Sequence, residues 1–440
     1  MLKKKFRSLD KTYTADIILK KPDKYRNIEI LTSNVENLIT MGSGKSYVAA
    51  SFKKDNLSLE LSKFDRIIDF NKQEKTILVE AGIKLHHLLY FTLKHKLWIP
   101  QIPGYPSITL GGAIAANVHG KSSATHGSLR NQIKSIRIFH KTHGWLDLSE
   151  SENKEIFELT IGGFGLTGTI VNVELKLIDM KSYDFITTIE KVNSAKDTIK
   201  KLDLNDLENI FCYSWNKTNN SKKFGEGLIF RNKINENSTS TLLKKMEYGE
   251  NKIHQYFPIN LWNKYTISFF QNIYFKYYNF YKKKIFHDNF ENVMFPYAGK
   301  ETYFHMFGKK GFFESQILVP LPKVDIFLNE LEYNFKKLEP DITLFSIKKI
   351  MDKDLLLRFS GEGICFTFDF TNNKKNINFL NKLDEICIKH HLKPSLIKDS
   401  RLNSSTVQKC YKEYDIFKET LLNFDNKRIY KSELSERIGL

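Results

Sequence analysis

The stretch that decides the fold is GYPSITLGGAIAANVHGK, residues 104–121. From Gly111 to Ala116 it is almost devoid of bulky side chains, so the backbone there can approach a large flat ligand closely. His119 and Lys121 add polar, chargeable groups at its end. Composition alone leaves a second reading open, the start of a buried helix.

Two more small-residue stretches flank it. The first, Gly42-Ser43-Gly44-Lys45-Ser46-Tyr47, contains GKS and invites a phosphate-binding P-loop. That motif needs a glycine where Ile39 stands, so what remains is a turn between strands whose amides can cradle a phosphate. The second, IGGFGLTGTI at residues 161–170, packs four glycines into seven positions ahead of a strand. It is not a GxGxxG set between strand and helix, which excludes the Rossmann reading. Three such loops in one N-terminal region point to a long ligand with phosphates and a ring system, a dinucleotide such as FAD.

The chain around them has 440 residues, 41% hydrophobic and 27% charged, which excludes collagen, coiled coil and wholesale disorder. The charge, 68 Lys+Arg minus 50 Asp+Glu or +18, with 13% aromatics, leaves nucleic acid and a membrane surface open as partners. No helix-turn-helix, RNP or zinc motif supports nucleic acid. Cys212, Cys365, Cys387 and Cys410 are scattered, so neither a disulfide framework nor a metal site is expected. The basic N-terminus lacks the apolar stretch of an export signal, and no apolar run is long enough to span a bilayer. The expected address is the cytoplasm.

Short apolar runs at 26–32, 35–44, 57–62 and 65–70 read as strands, as do 74–82 and 169–179, while 83–97 has helical spacing. Residues 1–178 therefore read as one α+β domain. From 179 to 393 a second α+β unit follows, with strand-like GEGLIFRNK, FFESQILVPL and GICFTFDF and helix-like KVDIFLNELEYNFKKL. Residues 394–440 are a helical tail. The stretch His254–Phe286 is thick with Phe, Tyr and Lys and shows no clear period. It is either an irregular insertion with core aromatics or a flap leaning on a lipid surface.

The order and content of GGAIAANVHGK, HGSLRNQIKSI, IGGFGLTGTI and the late Lys398-Asp399-Ser400-Arg401 resemble the vanillyl-alcohol-oxidase-type (PCMH-type) flavoproteins. Within them the likeness is strongest to the branch that oxidises polyprenyl-phosphoryl pentoses. The resemblance covers nearly the whole chain from about residue 30 and is weakest at 230–290. It implies an α+β fold: a two-subdomain PCMH-type FAD-binding domain, with an inserted α+β substrate domain on an antiparallel sheet.

The family pattern implies that Gly42, Ser43, Gly44, Lys45 and Ser46 hold the FAD pyrophosphate. Many relatives carry a flavin-linking histidine at the Lys45 position, so FAD is expected to be non-covalent. Gly104, Thr109, Gly111, Gly112, Ala113 and Ala116 would line the flavin and its diphosphate, with His119 and Gly120 beside the ring. Gly163, Gly168 and Ile170 would approach the adenosine half. Lys398 would return to flavin and substrate. Trp215, Gln316 and Lys348 match substrate-pocket positions, Lys121 and Lys348 could hold a substrate phosphate, and Thr367 stands where mycobacterial relatives carry a pocket cysteine. Val48, Ala49, Ala116 and Phe164 depart from the usual pattern.

The implied chemistry is oxidation of a secondary sugar hydroxyl, at C2 of a polyprenyl-phosphoryl pentose or related envelope sugar. A short-chain dehydrogenase/reductase partner would complete an epimerisation, and the protein could sit peripherally at the inner face of the membrane. Lys398 serves either as base or as electrostatic clamp, and His119 either assists or fixes the flavin. Two alternatives stand beside this reading: an aldonolactone or soluble-sugar oxidase of the same superfamily, and a basic nucleic-acid-binding protein.

Overall fold

Strands and helices alternate through a mixed chain whose sheets are largely antiparallel, in a computed structural model describing residues 3–202, 211–218, 224–238, 248, 254–280, 285–296, 298 and 300–440. The N-terminal sheet runs Lys3–Arg7, Thr14–Lys20, Leu57–Glu60, Leu38–Met41, with the last three parallel. Beside it lies an antiparallel sheet ordered Ile67–Asn71, Thr76–Glu80, Thr169–Lys176, Ile133–His140, Gly144–Ser149. Thr169–Lys176 reads TIVNVELK, and its β-branched residues sit on a central strand that is buried through most of its length.

Residues 26–32 are not a strand. Tyr25–Thr32 is a helix that buries Ile28 and Thr32 on one face and leaves Ile30 exposed. Ile28 and Ile30 mimic a period of two, but the packed positions are four apart, which only a helix satisfies.

Two further antiparallel sheets form the second half. One is ordered Phe211–Asn216, Gly227–Ile234, Asp184–Val192, Phe286–Asn289; the other Ile342–Met351, Glu362–Thr371, Phe312–Val319, Lys393–Pro394. Their edges abut: Ile347 N donates to Ser214 Oγ at 2.9 Å, and Ser346 Oγ donates to the Ser214 carbonyl at 2.6 Å. Helices Val324–Leu338 and Lys374–His390 cover the outer face with Phe327, Leu331, Phe379 and Leu383.

The aromatic stretch contains a helix, Lys264–Phe280, that buries Ile267, Gln271 and Phe275. Its period was hidden because apolar residues also occupy its exposed face. Residues 281–284 lie outside the described residues. The tail forms helices Ser404–Cys410, Tyr414–Phe424 and Glu433–Arg437. It folds back on the N-terminal sheets: Lys431 N donates to the Leu38 carbonyl at 2.9 Å and Tyr430 OH to the Phe139 carbonyl at 3.0 Å. One apolar core runs from Leu38 and Ile39 through Phe345 and Phe366 to Leu434, so the first and last parts of the chain share a single interior. No helix among the described residues is long and apolar enough to cross a membrane.

Candidate functional site

A cavity of ≈ 1430 Å³ lies between the N-terminal sheets and the second pair. That exceeds the roughly 300–1,000 Å³ usual for one small ligand, so it suits a cofactor and a substrate together.

One wall is made of the three small-residue loops. Thr109 caps the helix Leu110–Ala115, its Oγ1 accepting from Gly112 N at 3.3 Å. A Cβ at Gly42 would stand 2.1 Å from that same Oγ1, so the 42–46 loop lies directly against the capping Thr109 side chain. The third loop is tied to this helix by Phe164 N donating to the Ala115 carbonyl at 2.8 Å and Gly162 N to the Ile114 carbonyl at 2.9 Å. Gly42, Ser43, Gly44, Lys45, Ser46, Gly104, Thr109, Gly111, Gly112, Ala116, Gly120, Gly168 and Ile170 all line the cavity.

Two expected residues do not. Ala113 faces the core beneath the helix with Ile114 and Leu110. Gly163 is a packing glycine, because a Cβ there would meet the Leu159 carbonyl oxygen at 2.0 Å. Phe164 and Gly165 line the cavity in its place.

This wall fits FAD. The hydroxyls of Ser43 and Ser51 are buried without a partner among the described residues, and both side chains belong to cavity-lining residues. Buried hydroxyls normally find partners, and a bound diphosphate would supply them. The carboxylates that line the cavity, Asp288, Glu314 and Asp369, all come from the other half of the chain, so the small-residue wall carries none. Lys45 places its ammonium over the Tyr105 ring at 5.0 Å.

The opposite wall is a sheet face. Glu314 pairs in register with Asp369, and Gln316 with Thr367, across strands Phe312–Val319 and Glu362–Thr371. On the third strand Ser346 faces Thr367 and Lys348 faces Cys365. Side chains two apart share a face, so these residues form a polar patch on otherwise buried strands. Lys398 completes it from the tail, 3.2 Å from Glu314 Oε1 and 3.9 Å from the centre of the Tyr47 ring. Gln316 Nε2 donates to Glu314 Oε1 at 2.7 Å. Tyr303 OH donates to Asp369 Oδ2 at 2.8 Å, while Asp369 Oδ1 is buried and unpartnered.

The electrostatics follow from this crowding. Burial, reinforced by Glu314, pushes the Asp369 carboxyl well above the ordinary carboxylate range. Burial, reinforced by Lys348 and Lys398, pushes His119 well down, so its imidazole is neutral, and its Nδ1 is buried without a partner. Burial likewise lowers Lys348, which makes no hydrogen bond or ion pair among the described residues. Burial lowers Lys121 strongly, with Lys348 adding to it. Lys121 donates to the carbonyls of Val293 and Met294, at 2.5 and 3.1 Å, so two of its three donors are already engaged.

His119, Lys121, Trp215, Gln316, Lys348, Thr367 and Lys398 therefore meet in one cavity. Sequence reading missed Glu314, Asp369 and Tyr303. A signal existed: FFESQILV and FTFDF each carry an acid inside an apolar strand, and a buried acid needs a partner or a proton. Aromatic side chains extend the cavity, with Trp215 and Tyr274 rings 4.4 Å apart and Tyr213 stacked on Phe230 at 5.2 Å. Among the described residues no three His, Cys, Asp or Glu side chains are placed to hold a metal ion.

A family model described as an FAD binding domain matches residues 27–149. The chain is 23% identical over 424 residues to the decaprenylphosphoryl-β-D-ribose oxidase of Mycolicibacterium smegmatis, covering 92% of this chain and 89% of that one. It is 28% identical over 147 residues to the L-gulonolactone oxidase of Mus musculus, a third of each chain. It is 24% identical over 161 residues to the L-galactono-1,4-lactone dehydrogenase 2 of Oryza sativa, covering 37% of this chain and 27% of that one.

Proposed function

We propose that this chain, a vanillyl-alcohol-oxidase-type FAD-binding oxidoreductase, oxidises a secondary hydroxyl of a pentose carried on a polyprenyl phosphate. The observation that carries the reading is the second wall: half-buried lysines stand beside an aromatic channel, which suits a sugar whose anionic phosphate bears an apolar chain. The likeness to a ribose oxidase over 92% of the chain includes this wall, whereas the lactone-acting relatives match about a third. On this reading residues 179–393 are the substrate domain inserted ahead of the returning tail.

FAD, when bound, supplies the two-electron acceptor for the carbinol hydrogen. It would be held through Gly42–Ser46, Thr109, Gly111, Gly112 and Ala116, without a covalent link at Lys45. Lys348 offers a point charge to the phosphate, helped by the remaining donor of Lys121. Lys398, held by Glu314 and Tyr47, is an electrostatic clamp for the developing negative charge on the sugar oxygen. Gln316 and Thr367 face the sugar, and neutral His119 orients it against the cofactor wall. The keto product calls for a separate reductase, of the short-chain class, if the overall outcome is epimerisation at C2.

The test is anaerobic bleaching of the flavin by a short-chain prenyl-phosphoryl ribose, by free pentoses and by aldonolactones. Fast bleaching by the prenyl-phosphoryl sugar alone is expected. Preferential bleaching by lactones would overturn the substrate assignment.

A lipid-borne substrate also gives a use for helix Lys264–Phe280. One face lines the cavity through Ile267, Gln271 and Tyr274; the other exposes Tyr265 at 84%, Phe269 at 60% and Phe280 at 77%. Exposed aromatics with the lysines of this stretch suit an anionic bilayer surface. Flotation with anionic vesicles is expected for the wild type and lost in a Tyr265→Ser, Phe269→Ser, Phe280→Ser variant that keeps its flavin. Equal flotation of both would remove this surface from the reading.

A further inference from the structure

We propose that Glu314 is a catalytic residue that accepts the proton of the substrate hydroxyl, with Lys398 and Asp369 fixing its place. The inference deepens the reading of the site as an alcohol-oxidising flavin site and rests on it.

The geometry singles out Glu314. It projects from a fully buried strand into the cavity, where Lys398 approaches both of its oxygens, at 3.2 and 3.4 Å. Gln316 orients Oε1 at 2.7 Å. Its register partner is Asp369, so two carboxyl groups face each other across adjacent strands. Such a pair does not carry two negative charges in a low-dielectric site. The surroundings divide the roles. Glu314 is in direct contact with the ammonium; Asp369 feels Lys398 at longer range, and among the described residues its carboxyl is hydrogen-bonded by the Tyr303 hydroxyl, at 2.8 Å on Oδ2, with Oδ1 unpartnered. The proton therefore resides on Asp369, and Glu314 is left as the acceptor.

The rivals fit less well. A lysine ammonium has no lone pair to take a proton. His119 is neutral, but proton transfer to it would put a third cation beside Lys348 and Lys398. Proton transfer to Glu314 neutralises an anion rather than creating a cation, and leaves the Lys398 ammonium facing the reacting oxygen. The step balances. The hydroxyl O–H bond breaks and its proton passes to a Glu314 oxygen, while the electron pair left behind closes the C=O bond. The carbinol hydrogen leaves with two electrons to the oxidised flavin, so the alcohol is oxidised and the flavin reduced.

Two measurements test this. In the FAD-loaded protein, Glu314→Gln should bind the prenyl-phosphoryl ribose as tightly as wild type but reduce its flavin on the order of 10²–10⁴-fold more slowly. In Glu314→Ala, added formate should restore part of the rate. In flavin-free protein at neutral pH, infrared spectra should show a buried protonated carboxyl group that Asp369→Asn removes and Glu314→Gln retains. Unslowed reduction in Glu314→Gln, or loss of the infrared band in Glu314→Gln and not in Asp369→Asn, overturns the proposal. A wild type bleached by none of the alcohols overturns the substrate reading instead, and the infrared comparison still decides the pair.

Discussion

Gly42–Ser46 and Leu110–Ala116 meet the cavity with backbone and the smallest side chains, while Phe312–Val319 and Glu362–Thr371 meet it with Glu314, Gln316, Thr367 and Asp369. The first wall is made of contiguous segments, a small-residue turn and a short capped helix whose small side chains leave its backbone close to the cavity. The second is made of residues scattered from Trp215 to Lys398, brought together by strand register and a returning tail. Apart from Lys45, the first wall presents small side chains and backbone, while the second carries Glu314, Asp369, Lys348 and Lys398.

That contrast can be broken at either wall. The largest effect is expected from Gly42→Val, whose added carbons collide with Thr109 Oγ1. It should give a folded, colourless protein, checked by circular dichroism against visible absorbance. Wild-type protein, precipitated with acid, should leave its flavin in the supernatant. If Gly42→Val binds flavin normally, the small-residue wall is not the cofactor wall.

Next comes Lys398→Ala. It should keep the flavin, because Lys398 stands on the other wall, yet reduce it on the order of 10²–10³-fold more slowly in single-turnover measurements. A variant that instead loses flavin would erase the division between the walls.

A smaller effect is expected of Lys348→Ala. Its ammonium has no partner inside the described protein, so its removal should raise KM for a phosphorylated substrate by about tenfold, roughly 1.4 kcal/mol. The flavin reduction rate at saturation should hold, and KM for an unphosphorylated sugar should not move. A uniform fall in rate for all substrates would place Lys348 in the chemistry rather than the phosphate contact.

Legibility followed the same division. The strands of the antiparallel sheets were readable because alternation and β-branched content persist over Ile133–His140 and Thr169–Lys176. Tyr25–Thr32 was misread because a short helix with Ile28 and Ile30 imitates alternation until packing shows which of them is buried. Lys264–Phe280 had no visible period because its cavity face and its exposed face are both aromatic. Gly163 looked like its glycine neighbours, yet it packs against the Leu159 carbonyl and does not line the cavity, a distinction that depends on which way a missing Cβ would point.

The sequence by itself determined the cofactor class, because small residues leave the backbone open to close approach by a large ligand. It also determined that the chain can form packed α+β units, because hydrophobic periodicity is a local property. Only the tertiary structure decided that Glu314 faces Asp369, that Lys398 reaches Glu314 from 84 residues away, and that Lys121 spends two donors on the Val293 and Met294 carbonyls. Charge states in a buried site are set by the distances between groups far apart in sequence, and those distances exist only once the strands are in register and the tail has returned.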